Sequence, residues 1–510
     1  MRALISTYDK TGLDVFARGL AELGWRLVAS GGTAAYLEGL GLEVEHVESL
    51  TESPEMLGGR VKTLHPRIHA GILARRDNPE DVATLAEHGI EPFDLVCVNL
   101  YPFEQVSARQ GVSEAEAVEM IDIGGPSMLR GAAKNFAHCA PLCRPERYGF
   151  VLDELRERGA LSLDTRRELA AETFATTAAY EAMIATWFSE REAFPESIVL
   201  PLEKVLDLSY GENPHQRAAY YADRGVRSHL LSRVEQLHGK ALSFNNLNDL
   251  SAARLVAREF ALPCCVIVKH ANPCGVAVGA TIEEAYAKAL ASDPVSAYGG
   301  VVVLNRDVEG TLGEALAEQF VEVLFAPGYD DAALEALRRK QGTRILADRE
   351  RRRAAAQGRG LKRVLGGLLV QDADAEIEER DGWRAVCGSP DERQWGDLVF
   401  AWRVCKHVSS NAIVLAKDLA TIGVGAGQMS RVDAVRIALE KASEHGHDVT
   451  GAVLASDAFF PFADGAQLAL DRGVSAIVQP GGSRRDEDVV AAVESAGATM
   501  VFTGRRHFRH

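Results

Sequence analysis

The 510 residues contain no run of about eighteen consecutive apolar side chains, the length a helix needs to cross a bilayer, so no membrane span is expected. The opening MRALISTYDKTG lacks an apolar core followed by a small-residue cleavage site. It reads as strand, turn and helix, and a cytoplasmic protein is the expectation. Positive charge is short: 56 Lys and Arg face 72 Asp and Glu, for a formal net charge of −16. That balance argues against non-specific nucleic-acid binding, which needs a basic surface. It also means that a phosphate-bearing substrate must find locally cationic pockets. Cysteine pairs at metal or redox spacing are missing as well. Cys97, Cys139, Cys143, Cys264, Cys265, Cys274, Cys387 and Cys405 include no CxxC, so neither a disulfide framework nor a structural zinc site is indicated. Cys97 and Cys265 lie in apolar runs, where a thiol packs as a small hydrophobe. Short-period repeats are absent. The one biased tract, Arg349 to Arg363, has no interleaved aromatics and reads as a solvated loop or helix face.

What is present is the balance of a globular protein, 47% apolar and 25% charged, in a chain too long for one core. In the first part, Ala3–Ile5, Leu27–Ala29 and Leu95–Val98 read as strands. Leu13, Phe16, Ala17 and Leu20 recur on one helix face, and Ser113 with Glu116 forms a capping box. Such alternation predicts an α/β fold with a parallel sheet. Residues 163–190 are alanine-rich and free of Pro and Gly, a long closing helix. The mixed stretch Ser189–Pro201 then sets the boundary between domains 1–195 and 196–510. The second part carries strand candidates at Val266–Val268, Val301–Leu304, Leu368–Val370, Ala412–Leu415, Ala452–Ala455 and Ala476–Val478. Helix starts are expected at the capping boxes Thr281/Glu284 and Thr311/Glu314. Its size predicts two similar lobes.

Four segments of the first domain concentrate chemistry. Ser30-Gly31-Gly32-Thr33 puts two glycines between a strand and a helix, where backbone N–H groups can meet an anion. Gly59-Arg60-Val61-Lys62-Thr63-Leu64-His65-Pro66 packs cations, a hydroxyl and an imidazole together. Asn99-Leu100-Tyr101-Pro102-Phe103 delivers Tyr101 to a strand's carboxyl end, where open α/β sheets bind ligands. Asp122-Ile123-Gly124-Gly125-Pro126 opens a helix, with proline expected at its first position and Lys134 further along it. Taken singly, each is ordinary: a tight turn, a capping aspartate, a core tyrosine, a solvated lysine.

Together, SxYDKTGL, ASGGTA, GRVKTLHP, NLYPF, IDIGGP and AAKN resemble the IMP cyclohydrolase domain of the bifunctional purine-synthesis family, across nearly all of residues 1–135. The resemblance implies a methylglyoxal synthase-like domain in which Lys62, Tyr101, Asp122 and Lys134 carry the cyclisation. It makes Lys10, Ser30, Gly31, Gly32, Thr33, Arg60 and Thr63 substrate-binding. A nucleotide-sensing module on the same fold is the alternative, and it would not require that catalytic set. One departure is local: Pro141, in a segment that is an apolar strand in the family, lacks a ladder donor and confines the segment to an edge or a bulge.

In the second domain an apolar strand delivers Lys269 and His270 to its end, followed by Asn272-Pro273-Cys274-Gly275. An imidazole takes a proton near neutral pH, and an adjacent ammonium donates one or steadies negative charge. With YGENPHQ, GKALSFNN, DPVSAYGG, SNAI, GAGQMSR, SDAFFPF and the terminal TGRRHFRH, the stretch from about 205 to the end resembles the AICAR transformylase domain of the same family. The resemblance implies a two-lobed α/β, cytidine deaminase-like fold and 10-formyltetrahydrofolate as co-substrate. It makes His270 the base, Lys269 an aid to the folate leaving nitrogen and Asn411 the group that orients the formyl oxygen. It makes Tyr210, Tyr298, Gly299, Arg431, Phe459, Pro461, Asp464, Arg506 and Phe508 binding residues. The family pattern also implies a homodimer, no catalytic metal and room for a structural potassium ion. A deaminase zinc site is excluded, since no HxE pairs with a PCxxC. Ser209 stands where the family has a phosphate-binding arginine, and Arg506 is the candidate replacement.

Overall fold

The computed structural model describes all residues except 54–55, 58–59, 190–191, 225–230, 232–233, 349–358 and 378. The chain divides into two compact units, Met1–Glu203 with a short piece from Asp223, and Lys204–Ala222 with the remainder to His510.

The first unit is built on five parallel strands, β1 Arg2–Thr7, β2 Arg26–Ala29, β3 Val44–His46, β4 Leu95–Asn99 and β5 Ala140–Leu142. Their order across the sheet is β3-β2-β1-β4-β5. The period of two along each strand splits its side chains between two cores. Ala3, Ile5, Leu27 and Cys97 pack with Phe16 and Tyr148 on one face. Leu4, Val28, Val96 and Val98 pack with Ile68, Ile72 and Met128 on the other. The order reverses between β1 and β4, the switch point outside which such sheets form a ligand crevice. Pro141 is tolerated because β5 is an edge strand three residues long, paired only with β4. The closing helix is found at Leu163–Ser189.

Two sheets and a hairpin make up the rest. β6 Leu202–Leu208 pairs with β7 Ala218–Asp223. A mixed twelve-stranded sheet contains β8 Glu235–His238, β9 Cys264–Lys269, β10 Asn272–Val278, β11 Gly300–Leu304, β12 Val321–Ala326 and β13 Arg344–Ala347. The hairpin β14 Arg359–Val364 and β15 Gly367–Asp372 stands apart from it. The large sheet continues with β16 Arg384–Cys387, β17 Ile413–Lys417, β18 Ala420–Gly425, β19 Val453–Ser456, β20 Ala476–Gln479 and β21 Thr499–Phe502. Its order, β16-β21-β20-β19-β17-β18-β10-β9-β11-β12-β13-β8, is two equivalent halves meeting at β18 and β10. These are the two lobes expected from the size of the domain. The helices Phe244–Ala257 and Glu392–Cys405 share one core across both lobes, around Leu250, Val256, Phe400 and Trp402. The opposite face of each lobe has its own core.

Three local expectations change. The helix placed at Thr311 begins at Gly310 after Glu309, without a side-chain cap, so Thr311 lies inside it. Pro126 is the third residue of the helix Gly124–Lys134, not the first; a proline is accommodated there because the first-turn N–H groups have no intrahelical partner. Of the basic tract, residues 349–358 lie outside the described residues, and Arg359–Arg363 belongs to the β14 strand.

Two candidate active sites

In the first unit, the ends of β1, β2 and β4 converge at the switch point. The Asn99 side chain accepts from the N–H groups of Tyr8 (2.6 Å) and Asp9 (3.0 Å), and donates to the Asp9 carbonyl (2.7 Å), fixing the loop after β1. Lys10, on that loop, donates to the Thr33 hydroxyl at 3.0 Å, and Thr33 bonds back to the Thr7 backbone at 3.1 Å. Burial pushes the Lys10 ammonium below its usual range, opposed by Asp9. Ser30 precedes the helix Gly31–Gly39 without capping it through its side chain. Gly31 has φ +49°, and a Cβ there would collide with the Lys62 ammonium. The glycine therefore lets Lys62 approach a helix N-terminus, which makes this corner cationic. Gly32 faces open space. Lys62 and His65 also line a cavity of about 20 Å³ with Glu48 and Thr51.

Tyr101 is 43% exposed, with its ring 5.6 Å from that of Tyr8. Asp122 accepts from the Gly125 N–H at 2.8 Å and from the Tyr101 backbone. Burial nevertheless raises its carboxyl above the usual range. Tyr180, from the long closing helix, was not singled out by sequence. Its hydroxyl accepts from the Asp122 N–H (2.8 Å) and donates to the Met120 carbonyl (2.9 Å), and burial pushes its own pKa up to about 12. Thr63 is buried beside Gly124. The structure therefore gathers Lys10, Ser30, Gly31, Thr33, Lys62, Thr63, Tyr101 and Asp122 around these strand ends. Two expected members stand differently. Arg60 is exposed and paired with Glu119, and its neighbour Gly59 lies outside the described residues. Lys134 is exposed at the far end of the helix Gly124–Lys134, whose eleven residues span about 15 Å of rise from the Asp122 end.

In the second unit, Lys269 ends β9, and its ammonium donates to the carbonyls of Tyr298 (3.1 Å) and Gly299 (2.8 Å). Tyr298 is 64% exposed and packs on Phe320, with ring centroids 5.2 Å apart. His270 is exposed in a left-handed conformation (φ +52°), followed by Ala271 at +61°. Asn272 donates to the His270 carbonyl at 3.2 Å and accepts from the Ser409 N–H at 2.8 Å. It thereby brings the His270 turn of the first lobe to the Ser409–Asn411 loop of the second.

Asn411 is committed on every side. Its Nδ2 donates to the carbonyls of Gln428 (2.9 Å) and Met429 (3.2 Å), and its Oδ1 accepts from Arg431 at 2.8 Å. The expectation that Arg431 contacts a ligand meets a buried guanidinium whose bonds run inward, to Ser456 (2.7 Å), to Asp457 and to Asn411. Arg431 positions Asn411 from behind. A buried arginine–aspartate pair does this well, because its fork and charge fix direction.

Around this core lie the remaining expected residues. Phe459 is 37% exposed; Pro461 and Asp464 are exposed at the start of the helix Ala463–Leu470. The terminal segment is anchored by the His507 N–H donating to the Asp457 carbonyl (3.0 Å) and the Ser410 N–H to that of Arg509 (2.9 Å). Arg506 lies over the Phe508 ring at 4.5 Å. The Tyr210 carbonyl accepts from the Phe244 N–H at 3.1 Å, which ties that motif to a helix start and not to His270 directly. Ser209 spends its hydroxyl on the Leu242 carbonyl (3.0 Å). Among the described residues no group of three or more His, Cys, Asp or Glu is arranged to hold a metal ion.

Residues 132–441 match the family model described as AICARFT/IMPCHase bienzyme, and residues 12–127 match that of the MGS-like domain. A protein of Bacillus cereus (strain B4264) called bifunctional purine biosynthesis protein PurH is 47% identical over 512 residues, covering 100% of this chain and 99% of its own. The protein of that name from Bacillus cereus (strain ATCC 10987 / NRS 248) is 48% identical over the same span. One solved structure, titled crystal structure of ForH, is 40% identical over 38% of this chain and all of its own, with a TM-score of 0.34.

Proposed function

The chain belongs to the AICARFT/IMPCHase bienzyme family, and from that premise we propose how its residues carry out the two reactions. It is a bifunctional enzyme of purine synthesis: it formylates the 5-amino group of AICAR and closes formyl-AICAR to IMP. The formyl donor is 10-formyltetrahydrofolate. The observation that carries this reading is a match over 100% of the chain to bifunctional relatives, alongside separate motif sets gathered at strand ends in each unit.

For formyl transfer, His270 takes the proton from the AICAR amine as the nitrogen attacks the formyl carbon. That amine is conjugated with the ring and its carboxamide, so base assistance is a physical need. Lys269 keeps one of its three N–H donors beyond the two bound to Tyr298 and Gly299, and offers it to the departing folate nitrogen. Asn411 exchanges its longer bond, to Met429 (3.2 Å), for one to the formyl oxygen. Tyr298, Phe459 and Phe508 supply flat apolar faces for the two substrates, and Arg506 takes the phosphate that Ser209 does not.

For cyclisation, the formyl carbon and the attacking carboxamide nitrogen already belong to one molecule, so proximity is largely built in. Lys62, beside the Gly31 helix start, steadies the developing oxyanion. Tyr101 and Asp122 move protons, and burial of Asp122 brings its titration nearer the working pH. The role given to Lys134 rests on the family resemblance alone, and so does a structural potassium ion. The protein works in the cytoplasm and as a homodimer, and sedimentation of the purified chain tests the dimer.

The test of function is a product assay with AICAR and 10-formyltetrahydrofolate, following tetrahydrofolate, formyl-AICAR and IMP by chromatography. Tetrahydrofolate and IMP should appear in equal amounts. Tetrahydrofolate without IMP would remove the cyclohydrolase assignment, and neither product would remove both.

A further inference from the structure

The two lobes of the large sheet repeat one unit in detail. The helices Phe244–Ala257 and Glu392–Cys405 both have fourteen residues, and both start with a complete capping box, Ser243/Asn246 and Asp391/Gln394. Each is followed by a strand that ends in lysine and turns into its hairpin partner through two residues with positive φ. These are His270 and Ala271 in the first lobe (+52°, +61°), and Asp418 and Leu419 in the second (+54°, +57°). All these positions share a constant offset of 148 residues (Asp249 to Asp397, His270 to Asp418).

A tight hairpin turn of this hand favours glycine or asparagine; Ala and Leu adopt it under strain. In both lobes the sixth residue of the preceding helix is an aspartate that holds the turn. Asp249 accepts from the Ala271 N–H at 2.7 Å and from the His270 N–H. Asp397 accepts from Leu419 (2.7 Å) and Asp418 (3.1 Å). Burial raises both carboxyls, and the turn amides pull both back. Even the lysine is repeated: Lys269 binds the carbonyls of Tyr298 and Gly299, and Lys417 those of Asp448 (3.2 Å) and Thr450 (2.8 Å). The turn and the residue after it differ between the lobes. The first lobe has an imidazole at the turn and then Asn272, which reaches Ser409; the second has Asp418 and then Ala420.

We infer that Asp249 is a positioning residue for formyl transfer: a helix aspartate that both lobes use to hold a strained hairpin turn serves, in the first lobe only, to aim His270. This rests on the reading of His270 as the base. The second lobe supplies an internal control, since Asp397 makes the same bonds to a turn without a reacting group.

The test compares Asp249→Ala and Asp249→Asn with Asp397→Ala and Asp397→Asn in the full-length protein, measuring kcat for formyl transfer, KM for AICAR and thermal unfolding. His270→Ala is run in parallel. Asp249→Ala should lower kcat by about 100-fold, the scale of a misplaced reacting group, with KM within about threefold. Asp249→Asn keeps one acceptor and should recover about tenfold of that loss. Asp397→Ala should lower thermal stability as Asp249→Ala does and leave kcat within about twofold. Equal losses of kcat in the two alanine variants make the clamp merely structural and overturn the inference, as does an Asp249→Ala enzyme with unchanged kcat. Should an alanine variant not fold, the two asparagine variants decide by the same comparison. Full formyl transfer by His270→Ala overturns the base assignment instead, so the two failures are distinguishable.

Discussion

Removing one oxygen atom from Tyr180 should separate the two activities. In Tyr180→Phe the ring stays, packed edge-on against Phe103 at 6.4 Å, so no cavity larger than a hydroxyl is left. Two bonds are lost, from the Asp122 N–H (2.8 Å) and to the Met120 carbonyl (2.9 Å). At about 1 kcal/mol each, the loss is about 2 kcal/mol, borne by the segment that carries Asp122. In a unit of this size that is a fall of about 6 °C in its unfolding midpoint. The kinetic consequence follows from position: if most of that energy holds the Asp122 peptide in place, cyclisation slows by about tenfold to thirtyfold. Formyl transfer uses residues of the other unit and should be unchanged. The assay is IMP formation from added formyl-AICAR, set beside tetrahydrofolate release from AICAR and 10-formyltetrahydrofolate on the same preparation. Cyclisation at the wild-type rate, or equal losses of both activities, would show that Tyr180 does not hold Asp122 for the reaction.

Three further outcomes are expected. Gly31→Ala forces a side chain onto a residue with φ +49° and against the Lys62 ammonium, so cyclisation should drop at least about tenfold with formyl transfer intact; equal kinetics would show that Lys62 is free to move aside. The Asp122 carboxyl titrates above the ordinary aspartate range because of burial, which favours its protonated form in the fold. Its contribution to stability is therefore present below the unfolded pKa and lost as pH rises through the folded one. If its carboxylate accepts a proton in the reaction, the acid limb of cyclisation lies above about 3.9 and disappears in Asp122→Asn. A pH profile with the same limb in that variant contradicts the assignment. Arg431→Met leaves the fully buried Asp457 carboxylate without its cation, a change of about 3–5 kcal/mol. Formyl transfer should then fall with Asn411 unmoored, measured as tetrahydrofolate release, while cyclisation persists.

The sequence patterns carried the motif-bearing strands and the order of elements well, because buried parallel strands are continuous apolar runs and the site motifs sit at their ends. Val266–Val268 and Ala476–Val478 fall within β9 and β20 for that reason. Pro141 was legible in part, since a missing donor leaves a proline only an edge or a bulge, and β5 is an edge. Local signals failed where they had two readings: Thr311 and Glu314 have capping spacing but lie inside a helix that begins at Gly310. Partners distant in sequence left no mark. Nothing near Asp122 announces Tyr180, 58 residues on, and nothing near Asn411 announces that Arg431 bonds it while pairing with Asp457. The lobe repeat was hidden for a related reason. Its copies share a few residues, Asp249 and Leu250 matching Asp397 and Leu398, but their likeness lies in backbone turns and in bonds to them.

One chain performing two successive reactions at separate sites requires that His270 serve only the first. His270→Ala tests it most directly, given AICAR with 10-formyltetrahydrofolate in one vessel and formyl-AICAR in another. The first vessel should give no tetrahydrofolate and no IMP, and the second IMP at the wild-type rate. Tetrahydrofolate release at the wild-type rate, or loss of cyclisation together with formyl transfer, would contradict it.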